Sequence, residues 1–195
     1  MPGFICRKRE LKLLDSAYRS TDSGFIPVYG RRRVGKSELL LQFIDGQPAI
    51  YFVGSKSAAV VQIRDFLSVA AKTLNRPFLA SLPAADWKTT LEAVLAQWAG
   101  TPKLIVVFDE FQWAVSAAPE LPSVLRQLWD LEWSKQGNVL LILCGSYIEF
   151  MEREILGRRS PLFGRITAQN LLRPFSYAEA AQFHAYGLRI DKLRF

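Results

Sequence analysis

The sequence predicts an α/β domain in which a doubly wound parallel sheet carries helices on both faces, and three observations support it. Short runs rich in β-branched and aromatic residues alternate with longer stretches of helical pattern along the 195 residues. One such run leads into a basic loop bounded by glycines, and another ends in two adjacent carboxylates. Strands this apolar must be covered from both sides, and the intervening helices supply the cover.

A charged helix is expected over 7–18, ahead of a first strand at 25–29 (Phe25-Ile26-Pro27-Val28-Tyr29). Next come a helix at 35–43, a strand at 49–53 and helices at 59–74 and 87–98. A strand at 104–108, a helix at 121–134, strands at 139–144 and near 166–172, and a helix at 177–183 complete the series. Asp86 and Ser176 stand just before helices, where a side-chain oxygen satisfies a free first-turn N–H. Pro77, Pro83, Pro102, Pro119 and Pro161 fall between elements, where a missing N–H costs no helix or ladder bond. Trp129 and Trp133 are four apart, so they share a helix face and read as core.

Half of the residues are hydrophobic and 22% are charged, the balance of a globular chain rather than a disordered one. This length suits one α/β domain. Within it, 1–20 is expected to form an amino-terminal box and helix, 21–186 the core and 187–195 a tail. The longest apolar runs, 104–108 and 139–144, fall far short of the ~20 residues that span a bilayer, and no signal-peptide pattern opens the chain. Two cysteines (Cys6, Cys144) and a single histidine (His184) argue against a disulfide framework or a thiol-histidine metal centre. A reducing cytoplasm, with no membrane partner, is the expected setting. The net charge of +7 concentrates at 7–9, 31–33 and 153–165. The second cluster sits in the glycine-bounded loop, where a bound anion would account for part of the charge; a nucleic-acid surface is the alternative use of the rest.

Gly30-Arg31-Arg32-Arg33-Val34-Gly35-Lys36-Ser37 matches the phosphate-loop pattern G-x-x-x-x-G-K-[ST]. Gly30 and Gly35 let the backbone curl so that successive N–H groups converge on phosphate oxygens, and the helix that follows adds its amino-terminal dipole. Lys36 is expected on the β- and γ-phosphates and Ser37 on Mg²⁺; Glu38 completes the expected site. Arg31, Arg32 and Arg33 either touch phosphate or remain solvated loop cations. The run 104–108 feeds Asp109 and Glu110, the first expected to hold Mg²⁺ through water and the second to polarise the attacking water. Ser146 ends the apolar run 139–144 as either a γ-phosphate sensor or an ordinary turn residue, and Trp113 is either packing or a reporter of nucleotide state.

Together these segments resemble the archaeal-type ATPase family of AAA-like, STAND-related P-loop proteins. The resemblance spans about residues 4 to 183. It rests on Phe4-Ile5-Cys6-Arg7-Lys8-Arg9-Glu10-Leu11, similar to the family's F-x-x-R-x-x-E-L box beside adenine, and on the phosphate loop. Phe108-Asp109-Glu110-Phe111-Gln112, Gly145-Ser146, Ser160-Pro161-Leu162-Phe163-Gly164-Arg165 and Leu172-Arg173-Pro174-Phe175 complete it. The resemblance implies strand order 5-1-4-3-2, ATP as the nucleotide and Arg7 near its base. It also implies that Arg165, with Arg158 and Arg159 as neighbouring candidates, reaches phosphate within a subunit or across an oligomer. Relatives continue into a helical lid, a winged helix and in some cases a nuclease-like domain; 187–195 does not carry a lid pattern. The expected function is a Mg²⁺-dependent ATP-hydrolysing switch or motor core. The alternatives are a non-catalytic ATP-binding module and a DNA-associated protein with a regulatory ATP site. The expected partners are ATP, further copies of the chain, and DNA or protein held through C-terminal regions.

Overall fold

The computed structural model of the chain describes residues 7–98, 101–177 and 179–180. Five strands form one all-parallel sheet: β1 (Gly24–Tyr29), β2 (Ala49–Val53), β3 (Leu104–Asp109), β4 (Val139–Gly145) and β5 (Asn170–Leu171). Their order, β2-β3-β4-β1-β5, is the expected 5-1-4-3-2 read from the opposite edge.

Alternation along the strands divides the core. Ile105 and Val107 of β3, with Leu140, Ile142 and Cys144 of β4, pack with Leu14, Leu39, Leu40 and Phe43. That face is covered by α1 (Lys8–Arg19) and α2 (Lys36–Ile44). Leu104, Val106, Phe108, Leu141 and Leu143 point the other way. There they meet α3 (Ala59–Thr73), α4 (Trp87–Leu95), α5 (Phe111–Ala117) and α6 (Leu121–Leu128). At the centre of this second layer the rings of Phe52, Phe66, Trp87 and Phe108 lie 5.5 to 5.9 Å apart. Truncating a buried ring of this kind to alanine costs about 3–5 kcal/mol. The cluster anchors β3, and with it the carboxylates at its end.

Asp86 caps α4 as expected, accepting from the Thr89 N–H at 2.8 Å. Helix α6 runs on through a π-helical stretch (Trp129–Trp133) into α7 (Ser134–Gln136), and both tryptophans are buried in the core. Three helical pieces escaped the sequence pattern: the 3₁₀ turn Pro77–Ser81, α5, and α8 (Ile148–Phe150) with the π-helical Met151–Leu156 after it. Helix α5 begins directly after β3 because Glu110 alone turns the chain, with a left-handed φ of 50°. No proline or glycine marks that junction.

The strand expected near 166–172 shrinks to two residues, and Pro27 supplies the reason. The Phe25 and Tyr29 backbones bond toward β5, through Thr167 and Leu172. Pro27 shares their direction and has no N–H to give, so the ladder breaks between Thr167 and Asn170. Ser176 and Glu179 cap one another across the start of the last helical turn. Of the expected 177–183 helix, 178 and 181–183 lie outside the described residues, as do residues 4–6 of the amino-terminal box and the tail 187–195. No helix among the described residues is long and apolar enough to cross a membrane.

Candidate functional site

The carboxyl ends of β1, β3 and β4 are adjacent and level: Tyr29 pairs with Gly145, and Phe108 with Leu143. The loop after β1 therefore faces the residues that end β3 and β4. Its shape depends on its glycines. A Cβ at Gly30 would lie 2.2 Å from the Leu172 carbonyl oxygen, so only glycine lets the 172 segment approach. Gly35 has φ 86° and caps α2, with Arg33 also left-handed at 66°. This geometry turns backbone N–H groups into one concavity at the amino end of a helix, a site suited to anions.

Lys36 is nearly buried, 6% exposed, and its ammonium donates to the carbonyls of Gly30 and Arg31, 2.9 Å each. On the opposite wall the Ser37 hydroxyl donates to Asp109 Oδ2 at 2.7 Å. Tyr51, from β2, donates to the same oxygen at 2.5 Å, and the Glu110 N–H donates to Oδ1 at 2.8 Å. Burial would push the Asp109 carboxyl up. The bonds from Cys144, Tyr51, Ser37 and the Glu110 N–H outweigh it and hold the group below 3.8. Burial first, and then Asp109 through its hydrogen bond and its charge, push the Tyr51 phenol and the Cys144 thiol up. Asp109 thus stays an anion facing protonated donors.

Glu110 stands beside it. Its Oε2 accepts from the Ser146 hydroxyl at 2.8 Å and from the Gln112 side-chain amide. Arg32, Arg33, Gly35, Lys36, Ser37, Glu38, Glu110 and Trp113 line one cleft of about 510 Å³. Cationic and aromatic groups rim it: Arg32 lies over the Tyr147 ring at 5.5 Å, and Lys56 over Trp113 at 4.5 Å. Arg31, Arg32 and Arg33 are all exposed. The donor set fits a triphosphate with a hard divalent cation. It offers an ammonium, converging amides, and one hydroxyl beside one carboxylate, leaving most of a Mg²⁺ shell to phosphate and water.

Arg7 lies against the phosphate loop and Arg165 lies apart from it. Arg7 is not in the cleft lining: its guanidinium donates to the carbonyls of Val34 at 2.9 Å and Arg173 at 2.7 Å. It also pairs with Glu10 and lies 4.2 Å from the Phe175 ring centre, so it ties the phosphate loop to the 173–175 segment. Arg165 sits near the amino end of β1, where Thr167 bonds Phe25, and not at the carboxyl edge. There it forms a two-pronged pair with Asp130, both bonds 2.8 Å. In this fold Arg165 therefore lies toward the opposite end of β1 from the phosphate loop. Tyr51 and Cys144 join the site without a signal in the sequence, whereas Gln112 closes the 108–112 segment on which the resemblance partly rests. Tyr51 and Cys144 join Asp109 only through strand register, and Gln112 only through the tight turn at Glu110.

The profile of the "ATPase domain predominantly from Archaea" matches residues 4–190. The Methanocaldococcus jannaschii protein MJECL04 is 26% identical over 180 residues, 92% of this chain but 38% of its own length. The Walker-type ATPase PABY2304 of Pyrococcus abyssi superposes with a TM-score of 0.75 at 21% identity, over 98% of this chain and 60% of that one. The Aeropyrum pernix ORC2 protein, solved in ADPNP and ADP complexes, gives 0.64 at 19% identity, over 94% and 52%. The chain thus spans less than two thirds of each of these relatives. At such identities the solved structures speak for the fold, that of P-loop ATPases, and the profile match speaks for the family. The chain belongs to the ATPase domain family found predominantly in Archaea.

Proposed function

We propose that this domain binds ATP with Mg²⁺ in the cleft and hydrolyses the β–γ phosphoanhydride, serving as a switch or motor core. The observation that carries this reading is the Glu110 carboxylate, held by Ser146 on the wall that also carries the Asp109–Ser37 pair, in the cleft that Lys36 lines. On binding, Lys36 exchanges the Gly30 and Arg31 carbonyls for β- and γ-phosphate oxygens, while the loop amides and the start of α2 hold the anion. Bound Mg²⁺ would supply neutralisation of charge on the β- and γ-oxygens, with Ser37 and Asp109 as its protein contacts. Glu110 accepts a proton from the water whose oxygen bonds to the γ-phosphorus, and the bond to the β–γ bridging oxygen breaks, giving ADP and phosphate. Ser146 keeps Glu110 in place and acts in this reading as the γ-phosphate sensor.

The place of Arg165 favours an oligomeric working form within the same reading. It lies away from its own cleft, and Phe163 and Leu131 beside the Arg165–Asp130 pair are 47% and 58% exposed. Such a surface suits a second copy of the chain, whose nucleotide Arg165 would meet.

Phosphate release from ATP, measured with Mg²⁺ and with chelator, tests the proposal. Release should require the metal, and Asp109→Asn should raise the Mg²⁺ concentration needed for half-maximal rate. Release no faster than buffer, or a metal requirement unchanged by the substitution, contradicts it.

A further inference from the structure

We propose that Gln112 is a positioning residue for Glu110, fixing which carboxylate oxygen is offered to water; this rests on the reading of Glu110 as proton acceptor. Gln112 is the second residue of α5 and is 6% exposed. Its amide nitrogen donates to Glu110 Oε2 and lies 3.4 Å from Ser146 Oγ. Ser146 donates to the same Oε2 at 2.8 Å. Two donors therefore converge on one oxygen from different elements, α5 and the end of β4. The carboxylate cannot rotate without losing both. Oε1 is the oxygen left to accept from a water in the cleft that Glu110 lines.

Two further observations fit this role. The Gln112 Oε1 is buried with no hydrogen-bond partner. An unpaired buried acceptor costs about 1–3 kcal/mol, and the fold tolerates it with the amide nitrogen, not the oxygen, against the carboxylate. The strand end beside it is also bare: a Cβ at Gly145 would lie 3.2 Å from that oxygen and 2.6 Å from Met151 Sδ. Backbone geometry adds to the need. Glu110 sits at a left-handed φ of 50° in a one-residue turn, so its side chain takes little orientation from a regular element.

The test compares Gln112→Leu with wild type in steady-state hydrolysis and in MgATP titration. Hydrogen bonds to a charged group set the scale, so kcat should fall about tenfold or more, with the MgATP Kd within about twofold. The same substitution in a Glu110→Gln background should cause no further loss under single-turnover conditions. Wild-type kcat in Gln112→Leu, or an equal loss in both backgrounds, overturns the proposal. If Gln112→Leu fails to give a cooperative melt, Gln112→Glu carries the test. It keeps the size of the side chain but sets a like charge beside Glu110, and should lower kcat while sparing Kd. A Glu110→Gln variant that hydrolyses at the wild-type rate defeats the catalytic reading of Glu110 itself. A slow Glu110→Gln with an unaffected Gln112→Leu defeats only the role of Gln112.

Discussion

Lys36→Ala is the perturbation whose consequence the geometry sets most tightly. The ammonium makes two bonds of 2.9 Å to loop carbonyls and is 6% exposed, so it is held in the position from which it would turn to phosphate. A hydrogen bond from a charged donor contributes about 1.5–3 kcal/mol. Two such bonds to phosphate, at the low end of that range, give about 3 kcal/mol, roughly a hundredfold in affinity. The ligand-free fold should lose much less. The truncated side chain opens onto the cleft rather than the core, water can reach the two carbonyls, and alanine suits a first helical turn. A loss of about 1 kcal/mol corresponds to a melting shift of roughly 2–4 °C at this size. Calorimetric titration with MgATP, paired with a circular dichroism melt, reads both numbers. Equal affinity in wild type and variant would falsify the assignment of the loop as the phosphate site. A collapse of the melt would show Lys36 to be structural.

Two other perturbations follow from the site and its surroundings. The native Asp109 carboxyl is held below 3.8, so its contribution to stability is fully present above that value and is lost as the pH falls through the lower native one. Wild type should therefore lose stability on acidification below about pH 4 more steeply than Asp109→Asn in urea melts; parallel slopes would show that the four donors do not favour the anion. Arg165, placed to serve a neighbouring subunit, should make hydrolysis per chain rise with protein concentration, and Arg165→Ala should flatten that rise. Concentration-independent activity with a fully active variant removes Arg165 from the chemistry.

Much of the frame was legible because the signals are local. The run 104–108 is buried on both faces and ends in Asp109-Glu110; Gly30 and Gly35 bracket a loop only glycines can form; Asp86 caps the helix it precedes. The parts that were not legible depend on distance in the chain. Tyr51 reaches Asp109 across 58 positions because strand register brings them together, and nothing in the 49–53 run distinguishes it from a core aromatic. The break in β5 follows from Pro27, 140 or more residues away, whose missing N–H matters only once the neighbouring strand is known. Arg165 illustrates the limit of motif transfer. The sequence places an arginine after Gly164, but only the fold shows that it lies by the amino end of β1, paired with Asp130. Helix α5 was missed because a single left-handed glutamate does the work usually signalled by glycine or proline.

The central claim is that this cleft cleaves the γ-phosphate with Glu110 as the acceptor of the water's proton. Single-turnover cleavage of γ-labelled ATP, with the domain in excess and Mg²⁺ present, tests it most directly. Glu110→Gln keeps the shape of the side chain and the donors around it but cannot take the proton. It should bind MgATP as wild type does and cleave it about a hundredfold or more slowly. Cleavage by Glu110→Gln at the wild-type rate, with binding intact, would contradict the account.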